Sequence, residues 1–228
     1  MSSRSVSERW ATFDCYGTLI DWERGIQDTL MGLWPDADPE RLLERYHDVE
    51  PKVQQDSSEP YREVLAESLR RLASEENLTL RPADEAALAA SLPTWPAFPE
   101  VQTALSLIRT NGWKLAILSN TDPELLLSSL RHIGVPVDLT ITASEAGSYK
   151  PAPGHWARFF ALSGADRERH VHVGASLFHD IEPAEQLGFK TVWINRLGEA
   201  TNLPRDAELS DLTELPETLE QIVPPEEG

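Results

Sequence analysis

Cysteine and long apolar runs are nearly absent from this sequence of 228 residues, and each shortage excludes a class of protein. The single cysteine, Cys15, has no second cysteine to pair with, which excludes a domain held together by internal disulfides. No apolar run approaches the roughly 20 residues that a membrane helix needs. Residues 1–9 are polar and lack the apolar stretch of a secretion signal. We therefore expect a cytoplasmic protein.

Basic residues are also scarce. Twenty lysines and arginines stand against 38 aspartates and glutamates, which gives a formal net charge of −18. Such a charge repels the phosphates of nucleic acids and anionic membrane surfaces, so neither is expected as a partner. The lysines are Lys52, Lys114, Lys150 and Lys190. Because they are so few, a lysine that falls beside candidate carboxylates is informative.

What the sequence does contain is ordinary globular composition, with 40% hydrophobic and 25% charged residues. A chain of this length can bury roughly 70% of the surface that its unfolded form exposes. General disorder is therefore excluded. One domain with a smaller insertion fits the length better than two full domains.

Strand and helix patterns alternate along much of the chain. Short apolar runs bounded by turn signals predict five buried parallel strands, at residues 10–15, 114–119, 139–142, 171–174 and 191–194. Helical patterns lie between most of them, for example at residues 99–110 and after a cap at Thr121-Asp122-Pro123. This alternation predicts the α/β class, with a doubly wound Rossmann-like parallel sheet.

The stretch between the first and second strands breaks the alternation. Residues 21–96 carry helical patterns only, with helices expected to begin at Pro39, Tyr61 and Pro82. We predict that this stretch is a helical cap domain inserted into a core of residues 1–20 and 97–228. The alternative is that these helices pack as part of a single core.

Polar side chains follow four of the predicted strands. In strand order they are Asp14, then Ser119 and Asn120, then Lys150, then Asp180. The carboxyl ends of parallel strands meet at one edge of the sheet, where ligands bind. Two carboxylates brought together there repel each other, and Lys150 can supply the balancing charge. Thr18 can donate its hydroxyl to Asp14, which suits an aspartate nucleophile.

These motifs resemble the haloacid dehalogenase-like superfamily, in particular its type II L-2-haloacid dehalogenase branch. The matching segments are Asp14-Cys15-Tyr16-Gly17-Thr18, residues 115–120, Tyr149-Lys150-Pro151 and residues 192–196. The resemblance implies that Asp14 is the nucleophile and forms an ester. It implies that Ser119 and Lys150 hold the nucleophile, that Asp180 supports attack of water on the ester, and that Asn120 helps to receive a halide.

The residue two positions after the nucleophile separates the branches of this superfamily. The phosphatases carry a second aspartate there, which protonates the leaving group, whereas this chain has Tyr16, as the dehalogenases do. A tyrosine, with a pKa of about 10, does not replace a carboxylic acid at neutral pH. Ala175 stands where the phosphatases usually have an acidic residue that contributes to Mg²⁺ binding. No cofactor and no metal site is therefore expected, and Mg²⁺ enters only under a phosphatase alternative.

The expected substrate-binding residues are Tyr16, Arg45, Asn120, Trp156 and Ser176. Arg45 resembles the arginine that binds the leaving anion in the family, with Arg24 and Arg41 as rivals and a solvated helix face as the alternative. Trp156 replaces a tyrosine of the dehalogenase pattern. Ala175 and Leu177 stand where that pattern has serine and asparagine, and Ser176 can replace one hydroxyl. These departures put the haloacid substrate in question more than the aspartate chemistry.

The sequence thus predicts a hydrolase that uses an aspartate nucleophile and an ester intermediate. Its expected partner is a small-molecule substrate, a small organic acid with a 2-haloacid as one candidate. The alternatives are a Mg²⁺-dependent small-molecule phosphatase and a non-catalytic binding protein of the same fold. Self-association as a homodimer is left open.

Overall fold

A computed structural model describes residues 8–55, 57 and 59–226 of the chain. Its centre is a sheet of parallel strands: β1 (Arg9–Phe13), β2 (Trp113–Ser119), β3 (Leu139–Thr142), β4 (His170–Gly174), β5 (Lys190–Ile194) and β6 (Ala207–Leu209). Their order across the sheet is β3-β2-β1-β4-β5-β6. The five predicted strands are all present, and β6 is an addition at the edge.

Helices connect and cover the strands. They are α1 (Trp22–Leu33), α2 (Pro39–Gln55), α3 (Tyr61–Glu75), α4 (Ala87–Ser91), α5 (Val101–Thr110), α6 (Pro123–Ile133), α7 (Ala143–Ala146), α8 (Gly154–Ser163), α9 (Glu182–Gln186) and α10 (Leu215–Ile222). Short 3-10 turns occur at Pro82–Asp84, Leu92–Thr94 and Arg167–Arg169, and a π-helical turn spans Leu177–Ile181. None of the helices in the described ranges is long and apolar enough to cross a membrane.

Both faces of the sheet are buried under helices. On β2, Leu115 and Ile117 belong to the apolar cluster that includes the inner face of α5, whereas Ala116 and Leu118 belong to a second cluster with Trp156 of α8. Successive side chains of a strand point to opposite faces, so these two clusters lie on the two sides of the sheet. This is the doubly wound arrangement that the sequence predicts, and the fold class is confirmed.

The helical stretch between β1 and β2 joins the sheet through two neighbouring chain segments. Ile20 pairs with Ala97 in an antiparallel bridge, and the Asp21 amide donates to the Pro96 carbonyl at 2.8 Å. α1 to α4 all lie between these points, as an inserted helical cap requires. The exact division at residues 20/21 and 96/97 stays a prediction.

Asp122 occupies the predicted cap position before α6, and Pro123 is the first residue of that helix, but the Asp122 side chain makes no capping bond to it. Its carboxylate accepts instead from the backbone amides of Tyr61 and Arg62, at 2.9 and 3.0 Å. These amides are at the start of α3, where helix N–H groups lack partners within the helix. Asp122 therefore satisfies the first turn of a helix in the inserted stretch.

Candidate active site

The predicted strand-end residues meet where the sheet connections change direction. β1 leads to β2 on one side, and its other neighbour is β4. Crevices at such switch points are where open α/β sheets bind ligands. The Asp14 amide donates to the Val173 carbonyl at 3.0 Å, so Asp14 extends β1 beyond its last paired residue. Gly174 allows close approach from β4, because a Cβ there would lie 2.5 Å from Asp180 Cβ.

Lys150 joins the two aspartates. Its ammonium nitrogen lies 2.8 Å from Asp14 Oδ1 and 2.6 Å from Asp180 Oδ1. The side chains of Lys150 and Asp180 are 1% and 0% exposed. Two ionised carboxylates in such a buried place require a neighbouring cation, and the structure provides it. The contact predicted between these three residues is therefore present, whereas their chemical roles stay proposals.

Thr18 orients the carboxylate of Asp14. The backbone amide of Ala175 donates to Thr18 Oγ1 at 2.9 Å. The Thr18 hydroxyl in turn donates to Asp14 Oδ2 at 3.1 Å. Gly17, with a φ of 89°, provides the left-handed turn that brings Thr18 back toward the strand end. Both carboxylate oxygens of Asp14 are thus held by donors.

The two aspartates have opposite ionisation tendencies. Burial raises the pKa of Asp14 from 3.8 to about 6, and the positive charge of Lys150 opposes this shift. Burial acts in the same direction on Asp180, but the charge of Lys150 and a hydrogen bond from His172 outweigh it and hold its pKa below the ordinary range. Asp180 is therefore ionised at neutral pH. Asp14 takes up a proton more readily than an ordinary aspartate.

A buried chain of hydrogen bonds runs from His170 through Thr12 and His172 to Asp180. Burial lowers the pKa values of His170 and His172, so both rings are neutral. Because Asp180 is ionised, His172 Nε2 donates to it at 3.2 Å. His172 Nδ1 then accepts from the Thr12 hydroxyl at 2.8 Å, and Thr12 accepts from His170 Nε2 at 2.8 Å. These histidines alternate along a strand, and the sequence alone does not show that one of them reaches the site.

Ser119 is the last residue of β2 and Asn120 follows it, so both lie at the strand end, as predicted. The Asn120 side-chain amide donates to the Lys150 carbonyl at 3.0 Å and to Gln54 Oε1 at 2.8 Å. Its oxygen accepts from the Lys150 amide at 2.6 Å. Asn120 therefore positions the lysine and contacts α2, and the halide-receiving role expected for it stays a prediction. The Ser119 hydroxyl is buried without a hydrogen-bond partner in the protein.

A cleft of about 320 Å³ opens above this cluster. Its core side includes Asp14, Tyr16, Ser119, Asn120, Lys150, Ser176, His179, Asp180 and Glu199. Its cap side includes Trp22, His47, Glu50, Pro51, Gln54 and Tyr61. An outer groove of about 800 Å³ adjoins it, and the two share Pro51, Gln54, Lys150 and His179. Small molecules can therefore reach the aspartates from solvent between the core and the helical stretch.

Tyr16 and Ser176 line the cleft, as predicted. Burial raises the pKa of Tyr16 well above its ordinary value, and its hydroxyl shares a hydrogen bond with Ser129 at 3.0 Å. Tyr16 cannot act as an acid there. Ser176 accepts from the His179 amide at 3.1 Å, and its hydroxyl shares a hydrogen bond with His179 Nδ1 at 3.1 Å. Both side chains are fixed by neighbours inside the protein.

Two residues expected to bind substrate do not line the cleft. Arg45 does not line the cleft, because it lies on the outer side of α2 and pairs with Asp48, Glu75 and Glu76 at 2.6, 2.7 and 3.3 Å. Trp156 is 1% exposed and lies outside the cleft, with its ring edge-on to His172 at 5.1 Å between centroids. Its size places it in the core beneath the sheet edge.

The sequence reasoning missed Glu50 and Gln54. Both lie on the buried side of α2, four residues apart, with Glu50 4% exposed. They share that side with Leu42, Tyr46, Val49 and Val53, which recur at helical spacing. A glutamate within an apolar helix stripe is a signal that the sequence does contain.

The described residues include no group of three or more histidine, cysteine, aspartate or glutamate side chains placed to hold a metal ion. The oxygens of Asp14 and Asp180 that face each other both bond to Lys150. Mg²⁺ demands six nearly ideal oxygen ligands and usually takes one or two carboxylates. This arrangement does not fit a Mg²⁺ site. The expectation of no cofactor stays a prediction.

A doubly wound parallel sheet, an inserted helical cap and an aspartate–lysine–aspartate cluster at the switch point define a capped α/β enzyme class. The family model for haloacid dehalogenase-like hydrolases matches residues 9–188. The (S)-2-haloacid dehalogenase 1 of Pseudomonas sp. (strain CBS-3) is 29% identical over 232 residues, covering 92% of this chain and 96% of that protein. The (S)-2-haloacid dehalogenase 4A of Burkholderia cepacia is 25% identical over 221 residues, covering 92% and 94%.

Solved structures agree with this grouping. The crystal structure of an L-2-haloacid dehalogenase superposes with a TM-score of 0.84 at 27% identity, covering 94% of this chain and 99% of that chain. The chain belongs to the haloacid dehalogenase-like hydrolase family and is a hydrolase. The resemblance drawn from the motifs is therefore confirmed.

Proposed function

We propose that this hydrolase forms an ester on Asp14 and then hydrolyses it. In the first step a carboxylate oxygen of Asp14 attacks a carbon of the substrate, and the leaving group departs with its bonding electrons. The observation that carries the proposal is the Lys150 ammonium between Asp14 and Asp180, at 2.8 and 2.6 Å. Lys150 keeps both carboxylates ionised in a buried cleft. Tyr16 cannot supply a proton, so the leaving group is one that departs as an anion, as halide does.

In the second step water attacks the carbonyl carbon of the ester on Asp14. Asp180 Oδ2 is buried without a partner in the protein, so it can accept the proton of the attacking water. Oδ1 of the same carboxylate is fixed by Lys150 and His172. The bond between the carbonyl carbon and the ester oxygen then breaks, the departing oxygen takes up this proton, and the substrate leaves as an alcohol.

The cleft of about 320 Å³ suits a small organic molecule. Two relatives that match along most of this chain are named for (S)-2-haloacids. A small organic acid of that kind is therefore the first class of substrate to test. Activity without Mg²⁺ stays a prediction, and self-association as a homodimer stays open.

A single turnover in heavy-oxygen water tests the ester. The first product molecule should carry no label, because its new oxygen comes from Asp14, and the label should appear in the Asp14 carboxylate. Asp14→Asn should remove activity, whereas Asp28→Asn, a substitution at an exposed aspartate, should not. Label that appears directly in the first product would overturn the proposal.

The same assay with a chelator separates the phosphatase alternative. Halide release that survives chelation supports the proposal. Phosphate release that disappears with a chelator and returns with Mg²⁺ would favour the alternative.

A further inference from the structure

The cap side of the cleft presents a carboxylate. Glu50 lies on the inner face of α2 and lines the same cleft as Asp14 and Lys150. Its neighbour Gln54 donates to Glu50 Oε1 at 3.2 Å and accepts from Asn120 at 2.8 Å. This connection fixes the end of α2 against the loop that positions Lys150. A substrate bound at Asp14 is therefore enclosed on the opposite side by Glu50.

Among the described residues that line the cleft, no lysine or arginine is free to pair with a negatively charged group. Among the residues that the structure describes, Lys150 is the only lysine of the cleft and no arginine lines it. The ammonium group of Lys150 already bonds to both Asp14 and Asp180. Burial lowers the pKa of His179 to about 4, so that ring adds no charge. Glu50 and Glu199 add two further carboxyl groups to the lining.

His47, the remaining titratable group on α2 in the cleft, has an aromatic and an acidic neighbour. Its ring stacks on Trp22, with centroids 5.2 Å apart, and its Nε2 lies 3.4 Å from the Glu23 carboxylate. At pH 8, where Glu50 is ionised, a carboxylate entering the cleft would thus meet like charges without a free cation. Juxtaposed like charges across an interface suppress binding of the wrong partner.

We infer that the part of the substrate facing the cap is a hydrogen-bond donor, namely a hydroxyl, amide or ammonium group, and that Glu50 accepts from it. The inference rests on the proposed function only in placing the reacting carbon at Asp14. It narrows the substrate class to small neutral or cationic polar molecules, or acids that carry such a donor besides the carboxylate. A simple 2-haloacid lacks this group. Glu50 is thus a specificity-determining residue supplied by α2.

Binding of unreactive analogues tests the inference without any turnover. Isobutyrate, isobutyramide and isobutylamine share one carbon skeleton and differ in charge, with a methyl group where a 2-chloro acid has chlorine. Their dissociation constants are measured by NMR titration at pH 8. We expect the amide and the amine to bind at least about tenfold more tightly than the carboxylate, a difference of about 1.4 kcal/mol.

Glu50→Gln separates recognition from a structural role. The variant should bind the amine more weakly and isobutyrate more tightly than wild type does. The ratio of the isobutyrate dissociation constant to the amine dissociation constant should then fall below about threefold. Glu44→Gln, an exposed change on the same helix, should keep the wild-type order. A merely structural Glu50 would change thermal stability and leave the order of the three ligands intact.

Three results would overturn the inference: isobutyrate binding as tightly as the amide, an order unchanged by Glu50→Gln, or no binding of any analogue up to about 50 mM. None of them bears on the labelling of Asp14. Failure of this inference and failure of the proposed ester are therefore distinguishable.

Discussion

One ammonium group sets the ionisation of two carboxylates in this protein. Lys150 bonds to one oxygen of each aspartate, yet the pKa of Asp14 is raised and that of Asp180 is lowered. Burial raises both pKa values and Lys150 lowers both; the difference arises because the charge of Asp180 raises the pKa of Asp14 further, whereas a hydrogen bond from His172 lowers that of Asp180. Pairs of acids whose surroundings separate their pKa values are typical of sites that divide chemical roles between them.

The first prediction concerns the pH dependence of turnover. Burial raises the pKa of Asp14 to about 6, and only the ionised carboxylate is a nucleophile. The specificity constant kcat/KM should therefore rise with pH and level off above an apparent pKa of about 6. It is measured from about pH 5 to pH 8 on any substrate found. A flat profile across this range would contradict the assignment of Asp14 as the nucleophile.

The second prediction concerns Glu50 and stability. Burial raises the pKa of Glu50 from 4.5 to about 7, against a smaller opposing effect of Tyr61. The unfolded chain loses this proton near pH 4.5, whereas the folded chain keeps it until about pH 7. The folded state binds more protons between these values, so the free energy of unfolding falls as pH rises through them.

Glutamine cannot ionise, so Glu50→Gln removes this loss. We subtract the free energy of unfolding of wild type from that of the variant at each pH. This difference should be larger at pH 8 than at pH 5, by up to about 3 kcal/mol. Urea unfolding at both pH values measures this gain. Glu44→Gln is the matched control and should show the same difference at both. An equal effect of Glu50→Gln at the two pH values would refute the prediction.

At the scale of single elements, the inner and outer faces of α2 make different contacts. The inner face carries Glu50 and Gln54 to the cleft, and the outer face carries Arg45 in a surface network with Asp48, Glu75 and Glu76. Residues three or four apart share a face of a helix. Arg45 takes part in the surface network and therefore cannot also line the cleft.

The third prediction follows for Arg45. Arg45→Ala should leave kcat/KM within about twofold of wild type, because the side chain is remote from the cleft, and exposed ion pairs contribute little to stability. Steady-state kinetics on the wild-type substrate measures it. Gln54→Ala, on the inner face, is the positive control and should lower kcat/KM. A tenfold loss on Arg45→Ala would restore the anion-binding role that the resemblance suggested.

Strands and helices that are largely buried could be predicted from the sequence more readily than short or exposed ones. The strands at 114–119 and 171–174 were recognisable because parallel strands covered on both faces are continuous apolar runs. β6 has only three residues, and α1 includes Gly25 and Gly32, which weaken a helix signal. Arg45 was expected at the cleft from a resemblance within a helical stretch, and helical sequences match too loosely to show which face of the helix a residue occupies.

Part of the candidate site could also be predicted from the sequence. Asp14, Lys150 and Asp180 could be grouped because the ends of parallel strands coincide in space. Glu50 and Gln54 could not be, since their position depends on how the inserted helices dock over the sheet. That docking is determined by contacts between residues far apart in the sequence.

At the scale of the whole molecule, several polar links join the helical stretch to the rest of the chain, among them those of Asn120, Tyr149 and Asp122. Gln54 accepts from Asn120, and the Tyr149 hydroxyl donates to the Glu59 carbonyl at 2.6 Å. The third link is the carboxylate of Asp122, which accepts from the first amides of α3. All three lie around the opening of the cleft. The geometry of the site therefore depends on the docking of the two parts.

The last prediction tests this dependence through Asp122. Removing a side chain that satisfies the first turn of a helix costs about 1 kcal/mol, so Asp122→Ala should lower Tm by about 2–4 °C in a chain of this size. It should also lower kcat/KM, because α3 carries Tyr61 into the cleft. Glu124→Ala removes only the exposed partner of Arg62 and is the matched control. Thermal unfolding and kinetics are measured on both variants. If Asp122→Ala matched the control in both measurements, Asp122 would not contribute to the docking of the two parts.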